Sequence, residues 1–220
     1  MSEASPAGTA APRTTPGAGS SAPATPDPRA AAHAFTVTGT RTSAIDAPAV
    51  TRILASCLGA DASRYRSALA LRAPAASRTS DGVVVAVNPS GQYAQCATKG
   101  DRRSSQDHPP TFINDRLWGT GRVIEYFDSV EEPVEGGEFL TLGAGHYAPQ
   151  VAKLTVSYGD KPQEYPVRMA RRAFVHAALL RPDTPPDGHF LGPSTYLHAY
   201  DAAGEKIYDQ SQDPKFTKEE

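Results

Sequence analysis

The clearest period along this chain is helical. Val50, Ile53, Leu54, Cys57 and Leu58 fall at i, i+3, i+4, i+7 and i+8, one continuous face of an α-helix. Asp46 is a natural N-cap, Pro48 suits a first turn that has no use for its missing amide hydrogen, and Gly59 is a natural stop. Elsewhere the period is two. Phe35 and Val37 alternate with small polar residues across His33 to Thr40, and Tyr65 to Ala73 reads as a strand ended by Pro74. Gly82 to Val87 is a β-branched run that turns through Asn88-Pro89-Ser90-Gly91 and returns at Tyr93 to Cys96 as a hairpin. Arg122 to Phe127 and Phe139 to Leu142 are further short strands. Val151, Leu154 and Val156 lie in a strand ending at Gly159-Asp160, and Thr195 to Tyr200 pairs with Lys206 to Tyr208 across Asp201-Ala202-Ala203-Gly204.

Residues 166–180 admit two readings. The alanine content and the spacing of Val167, Phe174 and Ala178 fit a helix; two strands meeting near Arg171-Arg172 fit equally. The strand reading is preferred, because the flanking turns recur at all-β spacing. Ala97 to Arg116 is polar around Pro109-Pro110 and reads as an exposed excursion. The expected architecture is mainly β (α+β): antiparallel, sandwich-like sheets with one packed N-terminal helix, spanning residues 33–210. Residues 211–220 read as a frayed polar tail.

Composition divides the chain. Residues 1–32 are almost entirely Ala, Pro, Gly, Ser and Thr, with no large apolar side chain after Met1. Such a stretch buries too little surface to offset the entropy of ordering it, so a disordered linker is expected there. The net charge of −2 and isoelectric point near 6.3 argue against a nucleic-acid binder, which carries a basic face. No apolar run approaches a membrane span, and Met1 to Ala10 lacks the basic and apolar regions of a secretory signal. Taken literally, that describes a cytoplasmic protein. The linker composition points elsewhere, because Pro/Ala/Thr/Ser tracts typically space an ectodomain from a membrane anchor.

The cysteines point the same way. There are two, Cys57 and Cys96, and an even pair in an extracytoplasmic setting reads as a disulfide. The period around Cys57 turns it inward, and the alternation around Cys96 allows the same. Two unrelated buried thiols are the alternative.

Two groups of segments resemble a known class of protein. One is Ile53-Leu54-Ala55-Ser56-Cys57-Leu58 followed by Gly91-Gln92-Tyr93-Ala94-Gln95-Cys96. The other is Val151-Ala152-Lys153-Leu154-Thr155-Val156 followed by Ala199-Tyr200-Asp201-Ala202-Ala203-Gly204. Together they look like the extracytoplasmic domains of single-pass membrane proteins of actinobacteria. The resemblance covers roughly residues 46–210 and implies a membrane helix ahead of an Ala/Pro/Thr linker, a helix this sequence does not contain. It implies location and architecture and carries no catalytic residues.

Candidate chemistry is sparse. Glu125, Asp128, Glu131, Glu132, Glu135 and Glu138 form an acidic run that would suit Ca²⁺, but the Asp-x-Asp-x-Asp-Gly spacing is missing and a solvated acidic loop is expected. His146, His176, His189 and His198 lie in the C-terminal half without the close pair that zinc sites usually show; His176 and His198 read as ordinary strand residues. There is no Gly-x-Ser-x-Gly elbow. Gly143-Ala144-Gly145 and Gly119-Thr120-Gly121 fail the dinucleotide and phosphate-loop patterns and read as turns. Trp118, Tyr126, Phe127, Tyr147, Tyr158, Tyr165, Tyr196, Tyr200 and Tyr208 crowd the later half, as core or as a contact patch. No catalytic, cofactor or metal residue is assigned; Cys57 and Cys96 are assigned to a disulfide.

The leading expectation is therefore a non-catalytic extracytoplasmic binding or sensing module on a flexible linker, membrane-anchored or secreted. Its partner would be a protein or an envelope ligand, and it would meet a membrane only through an anchor. An envelope-polymer hydrolase with an Asp/Glu/His site is one alternative, favoured by a polar pocket gathering His146, His189 or His198 with acids. A cytoplasmic accessory protein with free thiols is the other.

Overall fold

The computed structural model describes residues 34–104, 111–114, 123–183 and 192–214. Three antiparallel sheets stack face to face, and one helix covers the outside of the first. The helix-side sheet runs β2 (Ser43–Ala44), β3 (Arg66–Arg72), β4 (Gly82–Val87) and β5 (Gln92–Lys99), with β6 (Arg102–Arg103) and β7 (Thr111–Asn114) both paired to β5. The central sheet runs β1 (Phe35–Gly39), β13 (Ala173–Pro182), β9 (Phe139–Tyr147) and β8 (Ile124–Pro133), with β12 (Arg168–Ala170) paired to β13. The outer sheet runs β11 (Tyr165–Pro166), β10 (Lys153–Tyr158), β14 (Thr195–Tyr200) and β15 (Lys206–Asp209).

The helix, α1 (Ala47–Leu58), forms where its sequence signals place it. The Asp46 side chain accepts from the Ala49 amide at 2.7 Å, and Gly59 ends the helix at a φ of 56° that disfavours side chains. Its apolar face, with Ile53, Leu54 and Cys57, packs on Val84, Ala86, Ala94 and Cys96 of the helix-side sheet. Cys57 and Cys96 are joined there by a disulfide, Cα to Cα 6.1 Å. Among the described residues no helix is long and apolar enough to cross a membrane.

Strand alternation distributes the other two cores. Along β13, Ala173, Val175 and Ala177 meet Leu71, Val83, Val85 and Tyr93 of the helix-side sheet. The intervening Phe174, Ala178 and Leu180 meet Leu154, Val156, Tyr158, Leu197 and Ala199 of the outer sheet. The central sheet is thus buried on both faces, and its inner strands read as nearly continuous apolar runs for that reason.

The strand reading of residues 166–180 holds: β12 and β13 form a hairpin whose two turn residues, Arg171 and Arg172, both have positive φ (48° and 67°). Several expectations change. Gly143-Ala144-Gly145 is not a turn but the middle of β9. A Cβ on Gly143 would stand 2.3 Å from His176 Nε2, and one on Gly145 2.5 Å from the Phe174 ring. The acidic run is not a solvated loop, since Glu125, Asp128, Glu131 and Glu132 sit in β8, the edge strand of the central sheet. The polar stretch 97–116 carries β6 and β7, so that part of it extends the helix-side sheet. Beyond Gln210, where the tail was expected to start, a short 3₁₀ turn (Gln210–Gln212) packs against the outer sheet, with Gln210 buried and the Tyr208 hydroxyl donating to Asp213 at 2.7 Å. The 1–32 linker, His189 and Gly119-Thr120-Gly121 lie outside the described residues.

Candidate functional site

The outer sheet turns one face to the core and one to solvent. In β10, Leu154, Val156 and Tyr158 point inward, which sends Lys153, Thr155 and Ser157 outward; in β14, Leu197 and Ala199 point inward and Tyr196, His198 and Tyr200 outward. The hairpin that joins β14 to β15 is tightened at Asp201, whose Oδ1 accepts from the amides of Ala203 and Glu205, both at 2.9 Å, and it sets Asp209 directly opposite His198.

Three side chains on three adjacent strands then line up. His198 Nε2 lies 2.8 Å from Ser157 Oγ, and His198 Nδ1 lies 3.1 Å from Asp209 Oδ1. The second contact has ion-pair distance but lies outside hydrogen-bond geometry. On the tautomer that carries its proton on Nδ1, Nε2 accepts and the Ser157 hydroxyl donates. Ser157 and His198 are each only 5% exposed, so water does not compete along the length of their contact.

Asp209 is held from several sides. Its Oδ1 accepts from the Ser211 amide at 3.1 Å and hydroxyl at 2.6 Å, capping the 3₁₀ turn, while Lys206 Nζ donates to Oδ2 at 3.2 Å. Burial pushes this carboxyl up, but the hydrogen bonds from Ser211 and Lys206 outweigh it and hold the carboxyl below its ordinary value. Glu164 behaves alike. Burial raises it, whereas hydrogen bonds from Thr155, Tyr200 (2.6 Å) and Lys206 (3.1 Å) bring it down to about 2. Lys206, between the two carboxylates, is raised above its ordinary value in spite of burial. Both acids are therefore ionised and anchored near neutral pH.

Over this row opens a pocket of about 440 Å³. Ser157 and His198 contribute to it from the sheet, Asp160, Lys161 and Glu164 from the loop after β10, Tyr196 from β14, and Ser211 and Gln212 from the 3₁₀ turn. Gly159 starts the loop at a φ of 55°. Lys161 pins it by donating to the Phe35 carbonyl and resting 4.2 Å from the Phe35 ring centroid.

No protein-family model, curated protein or solved structure matches this chain.

The other described histidines, His146 and His176, stand apart. His146 faces the helix-side sheet, stacked on Tyr93 with ring centroids 4.6 Å apart and tilted against Phe127. His176 lies between the central and outer sheets, hydrogen-bonded through Nε2 to the Tyr126 hydroxyl. Burial drives both rings down to about 3, so both are neutral near pH 7. The acidic run disperses as well. Glu132 takes the hydroxyls of Ser77 and Thr79, Glu131 accepts from the Gly192 amide at 3.1 Å, Glu138 pairs with Arg181 at 2.7 Å, and Glu125 sits opposite His146 in the ladder. Among the described residues no three His, Cys, Asp or Glu side chains converge to hold a metal ion. Most of the aromatic group is core: Tyr126, Tyr147, Tyr158, Tyr165 and Tyr208 all pack in the layer between the central and outer sheets.

Of the candidate residues singled out from sequence, His198 and Tyr196 belong to the pocket. Ser157, Asp209, Glu164 and Lys206 were missed. Alternation alone would have turned Ser157 and His198 outward, but nothing local says that β10 and β14 are neighbours.

Proposed function

We propose that this domain is an extracytoplasmic binding module whose ligand is a small polyhydroxylated molecule, such as a sugar unit of an envelope polymer, held in the pocket on the outer sheet. The observation that carries this reading is the pocket's lining. Two ammonium groups, Lys161 and Lys206, stand among three carboxylates, Asp160, Glu164 and Asp209, so the charges largely offset one another and favour no strongly ionic ligand. What remains is a set of hydrogen-bonding side chains, Gln212, Ser211 and His198, with the ring of Tyr196 in the same lining. Directional hydrogen bonds plus an aromatic face suit a ring bearing several hydroxyls. The Cys57–Cys96 disulfide supports an oxidising compartment. The resemblance to actinobacterial membrane-anchored ectodomains, together with the composition of residues 1–32, supports presentation on a linker.

Titration calorimetry of the full chain with soluble envelope-glycan fragments tests the ligand. Binding is expected, weakened at least 10-fold by Asp160→Asn or Tyr196→Ala with the melting temperature unchanged. No heat from any fragment, or binding indifferent to both substitutions, overturns it. Alkylation of the unfolded chain isolated from its native host tests the location: a protected cysteine pair is expected, and two alkylated thiols would move the protein to the cytoplasm.

A further inference from the structure

We infer that the pocket is also a hydrolytic site, in which Ser157 is the nucleophile, His198 the general base and acid, and Asp209 the group that positions His198, acting on an O-acyl ester of the hydroxylated ligand. This rests on the pocket being the ligand site. The argument is geometric. A serine hydroxyl is a poor nucleophile unless a base within hydrogen-bond reach takes its proton, and the base works best when a third group fixes its tautomer. Here Ser157 Oγ is 2.8 Å from His198 Nε2, and the far nitrogen of the same ring is 3.1 Å from a carboxylate held by Ser211 and Lys206. All three residues line one pocket. The backbone of each is fixed by strand pairing in a single sheet, which gives the row the rigidity that catalysis needs.

The pocket, at about 440 Å³, is large enough for a single acylated ring. Chemically, Ser157 Oγ bonds to the acyl carbon as its proton passes to His198 Nε2. The tetrahedral adduct collapses by breaking the carbon–oxygen bond to the sugar, and His198 returns the proton to the departing oxygen. Water then attacks the acyl-serine and gives a proton to His198. The bond to Ser157 breaks, its oxygen recovers that proton, and a carboxylic acid leaves. The sum is ester plus water giving alcohol plus acid. Asp209 keeps its charge throughout and stabilises the imidazolium.

The test treats the full chain with a fluorophosphonate probe, locates the adduct by peptide mass spectrometry, and follows hydrolysis of p-nitrophenyl acetate. The folded chain is expected to carry a single adduct at Ser157, at least about 100-fold faster than the heat-unfolded chain. Ser157→Ala abolishes adduct and hydrolysis, and Asp209→Asn lowers kcat roughly 10²- to 10⁴-fold with KM unchanged, as loss of a positioning carboxylate does. Ser157→Cys keeps a nucleophile in place. Its alkylation by iodoacetamide is expected to exceed that of the Ser157→Cys/His198→Gln double variant, provided both melt cooperatively. No adduct, an adduct elsewhere, or equal labelling of the unfolded chain overturns the inference. Glycan binding without labelling removes the hydrolytic inference alone, and labelling without glycan binding removes the ligand reading alone.

Discussion

The ring of Phe174 lies against the backbone of Gly145 so closely that a Cβ on the glycine would stand 2.5 Å from ring Cζ, and 2.1 Å from the carbonyl oxygen of Glu125 on the neighbouring strand. The ring has some freedom to yield; the carbonyl belongs to the ladder of β8 and has none. Gly145→Ala is therefore expected to cost about 3 kcal/mol or more, the upper end of what overpacking does in a core. Urea denaturation measures it, and a loss below about 1 kcal/mol would show that β8 can move aside.

Reduction should destabilise the domain strongly. The disulfide spans 39 residues, and closing a loop of that length stabilises by about 4 kcal/mol in the chain-entropy model. The Cys57→Ala/Cys96→Ala variant should lose a similar amount, measured as a drop in denaturation midpoint at constant slope. An unchanged midpoint would mean that the helix packs on its sheet without needing the tether.

Acid should destabilise in a defined window. His146 and His176 bind a proton more weakly in the folded chain (about 3) than in the unfolded one (6.5). The unfolded state takes up more protons between those values, so stability is full above pH 6.5 and falls as pH drops toward 3. Each ring contributes a slope of up to about 1.4 kcal/mol per pH unit. His146→Phe, which preserves the stack on Tyr93, should remove about half of the slope between pH 6 and 4. A stability flat with pH across that interval would refute the burial of both rings as neutral species.

The turn Arg171-Arg172 invites improvement. Left-handed backbone costs an ordinary side chain roughly 1–2 kcal/mol, and Arg172 adopts it at a φ of 67°. Arg172→Gly relieves that cost while giving back some chain entropy, so a gain of about 0.5–1 kcal/mol is expected in thermal or urea unfolding. A loss instead would show that the Arg172 side chain makes a contact worth more than the strain.

How much of this was legible depended on distance along the chain. Helix α1, its Asp46 cap and its Gly59 stop are local features, and a 3.6-residue period exposes them directly. The disulfide was legible because that period turned Cys57 inward. Gly143 and Gly145 misled because glycine is a turn signal only when its neighbours in sequence demand it. Here the demand comes from Phe174 and His176, about thirty residues away. The acids of β8 misled for a related reason: an edge strand tolerates charge that an inner strand would not, so Glu131 and Glu132 read as loop. The Ser157–His198–Asp209 row required knowing that β10 pairs with β14, a contact 41 residues apart at Ser157 and His198, which alternation cannot reveal.

Strand β13 serves two cores with one stretch of chain. Phe174, Ala178 and Leu180 belong to one and Ala173, Val175 and Ala177 to the other, and the sets differ greatly in volume. Losing a single residue from β13 would exchange them, pressing a phenylalanine where an alanine sat and leaving a void where the ring had been. Losing two would restore the parity. Insertions and deletions within β13 are therefore expected to keep both cores filled only when they come in even steps.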